Sequence, residues 1–182
     1  MTDPLEGADI GDAASVVRAE WRADEEEWTR AGIERWRHER SLLDLLREGM
    51  HRGDTISLSL PLGTPTFTGC VTAVGDDLVT LTLPDGPVDV RCDAEAPVVV
   101  RVTERARSGG TRGDTVTTFR ARLLELEMSE RDVEVGVRAT ADVVRGKLVV
   151  GRDHVILHDR DGVDTAIALA AVAWVRRPTD DR

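Results

Sequence analysis

Tyrosine is absent, Lys147 is the only lysine, and aromatic residues make up just 3% of the 182 residues, as two Phe and four Trp. So few rings leave little on which to stack successive bases. Two cysteines, Cys70 and Cys92, are too few and too far apart for a zinc or disulfide framework, and in a reducing compartment they are small packing residues. No apolar run approaches the roughly 18 residues that span a bilayer. The opening MTDPLEGADIGD is acidic, with no basic segment leading into an apolar one, so it does not read as a secretory signal. A cytoplasmic protein away from membranes is expected. The near-exclusive use of Arg as the basic residue reads as the bias of a GC-rich genome.

What is present is acid and aliphatic residue. The formal charge of -10 keeps the chain soluble and works against nonspecific attraction to phosphate backbones. At 41% hydrophobic, the sequence has enough Val and Leu for real cores, in one domain or two small ones.

A unit occurs twice. SLLDLLREGMHRGDTISLSL, from residue 41, matches FRARLLELEMSERDVEVGV, from residue 119. Leu45 pairs with Leu123, Leu46 with Leu124, Met50 with Met128 and Asp54 with Asp132. Phe67, Gly69 and Val71 then align with Val144, Gly146 and Leu148. After a one-residue adjustment Gly75, Asp77, Val79 and Leu81 match Gly151, Asp153, Val155 and Leu157, and Asp85-Gly86 matches Asp161-Gly162. Each unit begins with leucines at helical spacing. Alternation follows, with Ile56, Leu58 and Leu60 in the first copy and Val133, Val135 and Val137 in the second, the pattern of a half-buried strand. Gly69 and Gly146 fall where a sharply bent second strand wants no side chain, and Asp-Gly suits the hairpin between strands three and four.

The expected fold is mainly β with helices: an N-terminal α-helix, then two helix-plus-five-stranded barrels. Residues 1–11 form a flexible tail, 12–40 an amphipathic helix, 41–102 the first barrel with its leading helix, 103–117 a Gly- and Thr-rich linker, 118–177 the second barrel, and 178–182 a tail. Along the N-terminal helix Val17, Trp21, Trp28 and Trp36 fall near one face. This stripe either lies along the chain's own barrels or engages a partner, and Trp21, Trp28 and Trp36 are the candidate partner-binding residues.

A short helix followed by five bent antiparallel strands, with Gly69 or Gly146 in strand two and G-x-D-x-V-x-L opening strand three, resembles the Sm-like fold, a small barrel related in shape to SH3-like ones. The order helix, barrel, helix, barrel is also similar to that of a group of actinobacterial proteins with an acidic N-terminal helix. The Sm-like resemblance implies RNA binding through an Asp-x-x-x-Asn pattern and an Arg-Gly pair. Asp77 and Asp153 stand near the acidic position, but Leu81 and Leu157 occupy the place of the Asn, and the loops between strands four and five read DAEAP and LAA. Asp77 and Asp153 read rather as turn residues that bond their own backbone. The same resemblance implies that barrels join by pairing strand four of one with strand five of the next, here within one chain.

No catalytic constellation is legible. His154 and His158 lie about 13 Å apart on a strand, too far to share a metal ion, and GGTRGD at 109–114 lacks the Lys-Ser/Thr of a phosphate loop. No enzyme, cofactor or metal site is expected. The expected function is a non-enzymatic binding or scaffolding role through protein-protein contacts or self-association, made by barrel edges and the Trp-bearing helix. The alternative is an Sm-like RNA- or DNA-binding regulator acting through Asp77 and Asp153.

Overall fold

A computed structural model describes residues 8–60, 65–93, 98–107, 109–110, 116–138 and 140–178, with backbone only at 8–14, 16 and 17. The chain divides into two compact units, Met1–Ser41 and Leu42–Arg182. Among the described residues the architecture is mainly β, with three α-helices and one antiparallel sheet of ten strands. No helix among them is long and apolar enough to cross a membrane.

The first unit is the single helix α1, Ala8–Glu39. It is rich in Ala, Glu and Arg and free of proline, so nothing in its interior interrupts the helical hydrogen bonds. It begins at Ala8, inside the segment expected to be a tail, and the rest of that tail lies outside the described residues.

The second unit opens with α2, Leu42–Arg52. Gly53, at φ +81°, ends it by turning its N–H back to the Gly49 carbonyl at 2.9 Å, a left-handed stop that glycine makes without strain. Strands β1 (Thr55–Ser59), β2 (Phe67–Val74), β3 (Leu78–Leu83), β4 (Gly86–Arg91) and β5 (Val99–Glu104) follow. Helix α3 (Phe119–Met128) and strands β6 (Asp132–Val137), β7 (Val143–Val150), β8 (His154–His158), β9 (Asp164–Ala168) and β10 (Val172–Arg176) repeat the series, with a 3-10 turn at Leu169–Ala171.

The strand order is β5-β1-β2-β3-β4-β10-β6-β7-β8-β9, and neighbours for which a register is defined run antiparallel. Each copy therefore has its fifth strand beside its first, and the copies meet where β4 pairs with β10. Among the described residues the pairing does not close; β5 and β9 are its ends.

The registers of the two strand series correspond. Ile56 stands opposite Gly69 as Val133 stands opposite Gly146, and Leu58 opposite Val100 as Val135 opposite Val175. A Cβ on Gly69 would lie 2.3 Å from the Thr82 carbonyl oxygen, and one on Gly146 2.5 Å from that of His158, so both glycines admit the same close crossing of strands. One expected pairing shifts. Asp132 faces Lys147 as Thr55 faces Cys70, which makes Thr55 rather than Asp54 the counterpart of Asp132.

Alternating apolar residues supply two cores. One gathers Ile56, Leu58, Phe67, Val71, Leu81 and Val90 beneath Leu46 of α2, and the other gathers Val133, Val135, Leu148, Val155 and Leu157 beneath Phe119, Leu123 and Leu126 of α3. The copies also exchange residues. Trp174 of β10 enters the first core, meeting Phe67 edge to face at 5.3 Å between ring centroids, and Leu78 of β3 enters the second. Fully burying side chains of this size contributes about 1.5–3 kcal/mol each, so the exchange ties the two copies into one folding unit.

Candidate functional site

Three places are the candidates: the exposed face of α1, the turns that carry Asp77 and Asp153, and the two ends of the sheet.

On α1, Trp21, Trp28 and Trp36 are 75%, 82% and 54% exposed. They are seven and eight residues apart, close to two helical turns each, so the backbone sets them along one stripe. The Arg40 guanidinium lies over the Trp36 ring at 4.1 Å from its centroid. Exposed indoles in such number are uncommon on a surface without a binding role.

Asp77 and Asp153 occupy equivalent turns yet have different partners. The Asp77 carboxylate accepts a hydrogen bond from the Phe119 backbone N–H at 2.6 Å, alongside the Thr118 hydroxyl, which accepts from the Ala121 N–H at 3.2 Å. Asp77 is thus an N-terminal cap for the helix of the other copy, not a residue satisfied by its own turn. Gly75 allows this approach: a Cβ there would be 2.3 Å from the Thr117 carbonyl oxygen, and the Asp76 N–H donates to that same oxygen at 2.6 Å. Asp153 is exposed and pairs at 2.9 Å with Nδ1 of His154, whose hydrogen bond holds its carboxyl below the usual range. The two aspartates are not brought into a common site: Asp77 caps α3, and Asp153 bonds its neighbour His154.

His158 bonds Asp164 at 2.5 Å, so the two strand histidines have separate carboxylate partners. No group of three or more His, Cys, Asp or Glu among the described residues is placed to hold a metal ion. Cys70 is exposed, and Cys92 is buried, with its thiol pushed up to about 12 chiefly by that burial.

Two buried carboxylates escape sequence reasoning. Asp54 is fully buried, with Oδ2 bonded by Arg52 at 2.9 Å and Oδ1 by the Ala106 N–H at 3.0 Å. Burial works to raise its pKa, but these hydrogen bonds and the charges of Arg52 and Arg105 outweigh it and hold the group below its ordinary value. Asp89, on β4 opposite Val175 of β10, accepts from the Thr80 hydroxyl at 2.6 Å and lies 3.3 Å from Arg122 of α3. Here burial prevails and raises the pKa. Asp54 is marked in the sequence by following a glycine and by its alignment with Asp132, and neither says that it is buried. Asp89 sits mid-strand in the alternation V-D-V, which reads as solvent-facing until α3 is placed over it.

At the ends of the sheet, β5 presents Val99 at 52% and Val102 at 38% exposure, and β9 presents Ala166 and Ala168 with exposed Val163 just before it. Among the described residues each has a sheet neighbour on one side only.

Compared with protein-family models, with curated proteins and with solved structures, the chain matches none.

Proposed function

We propose that this is a non-enzymatic scaffolding protein of the cytoplasm, built from two Sm-like barrel units, whose copies associate through the open edges of the sheet. The observation that carries this reading is the β4–β10 junction, in which strand four of one unit pairs with strand five of the other. Among the described residues the same two strand types, β9 and β5, stand open at the ends. A row of unpaired backbone donors and acceptors is a template for another strand, so natural edges are either protected or used.

Internal register supplies an expected intermolecular one. The junction sets Trp174 against Val90, Val175 against Asp89 and Arg176 against Val88. Carried across the repeat, this places Val99, Val100 and Arg101 of one copy against Ile167, Ala166 and Thr165 of the next. The contact is head to tail, so it propagates to a ring or a filament according to the rotation it carries. Its test is disulfide trapping of the full chain with Cys70→Ser, Arg101→Cys and Thr165→Cys. A ladder of covalent oligomers supports the reading; a chain that stays monomeric under oxidation overturns it.

The alternative of an RNA- or DNA-binding regulator gains little support. Asp77, one of its two candidate residues, already spends its carboxylate on the α3 cap, and the charge of -10 opposes phosphate contacts.

A further inference from the structure

We propose that the Trp face of α1 pairs with the same face of a second copy of this chain, with the helices antiparallel. The inference rests on the reading of the protein as an association module and names the occupant of its helical surface.

Charge along α1 is uneven. Residues 18–27 hold Glu20, Asp24 and the run Glu25, Glu26, Glu27 against two arginines, whereas residues 28–40 hold four arginines against Glu34 and Glu39. Parallel pairing would lay acidic segment on acidic segment. Antiparallel pairing lays each on its opposite.

Positions around the helix specify a register. At about 100° per residue, Glu20, Asp24 and Arg35 lie on one flank of the Trp stripe and Arg18, Glu25 and Thr29 on the other. Two-fold symmetry in an antiparallel pair brings like flanks together, whereas in a parallel pair unlike flanks meet. With the centre between Trp28 and Thr29, Trp21 of one copy stands opposite Trp36 of the other, and Arg35 falls between the partner's Glu20 and Asp24. The parallel arrangement instead sets Asp24 beside the partner's Glu25. Size is sufficient as well: six indoles that can bury about 150–250 Å² each bring the contact close to the roughly 1,200 Å² at which specific interfaces begin.

The test uses the full chain with Cys70→Ser, so that the exposed native thiol is removed, and with Val99→Lys and Val102→Lys, so that the sheet edge is blocked. Two versions with one added cysteine are compared, Thr29→Cys and Arg18→Cys, at positions that share a flank. In the antiparallel pair Thr29 meets its own counterpart near the two-fold axis, while two copies of Arg18 are about 30 Å apart. Efficient dimer trapping in the Thr29→Cys version with none in the Arg18→Cys version is the expected result, and adding Trp28→Ala should weaken dimerisation about thirtyfold, as loss of a central Trp anchor does. Trapping in both versions, or in neither, overturns the proposal. Because the edge is blocked throughout, failure here leaves the strand-pairing reading standing, and failure of the edge ladder leaves this one standing.

Discussion

The Asp77 carboxylate accepts a hydrogen bond of 2.6 Å from the backbone N–H of Phe119, so the turn between β2 and β3 caps α3. A capping side chain replaced by alanine costs about 0.5–2 kcal/mol. Asp77→Ala is therefore expected to lower stability by about 1 kcal/mol, measured as a shift in the urea midpoint. Asp153→Ala removes an exposed carboxylate bonded to the adjacent His154 and should move that midpoint far less. Equal effects at the two positions would contradict the distinction.

Gly136 makes room for Trp174. A Cβ at Gly136 would lie 2.0 Å from the indole Nε1, so Gly136→Ala must displace a ring that is itself wedged against Phe67. Overpacking of this kind costs about 1–3 kcal/mol. The expected outcome is a lower melting temperature with altered near-ultraviolet dichroism, since the displaced ring belongs to the first core while the glycine belongs to the second copy.

The two buried carboxylates give opposite pH dependence. Asp54 has a folded pKa below its unfolded value, so its stabilisation is present above about pH 4 and is lost as pH falls through the lower folded value. Asp89 has a raised folded pKa; as pH falls through that value the folded chain takes up the proton first and gains stability, until the unfolded chain titrates as well. Against Asp54→Asn, the wild type should lose its advantage on acidification. Against Asp89→Asn, it should gain. Urea midpoints measured from neutral pH down to about pH 3 check both signs.

Tryptophan emission separates the two kinds of indole. Trp174 is buried while Trp21, Trp28 and Trp36 are exposed. In Trp174→Phe the remaining emission is expected to be red-shifted at low concentration and to move to the blue as concentration rises and α1 pairs. Emission independent of concentration would speak against burial of that face.

The alternation of β1 and β6 and the glycines at Gly69 and Gly146 were legible, because each is a local pattern of side-chain size and spacing. Partnerships between the copies were not. Asp77 reads as a turn residue because its partner, the Phe119 N–H, is 42 positions away, and only α3 lying over that turn makes it a cap. Leu78 on β3 packs into the second core and Trp174 on β10 into the first, a crossing that the local spacing of either strand does not show. The stripe on α1 was legible from spacing alone, and its exposure was not, since spacing says which residues share a face and not what covers it.

The most direct measurement is hydrogen-deuterium exchange of the full chain followed across a concentration series. Association through the sheet edges predicts that amides of β5 and β9 become protected as concentration rises, while those at the β4–β10 junction are protected at every concentration. Exchange in β5 and β9 that stays fast and independent of concentration would contradict it.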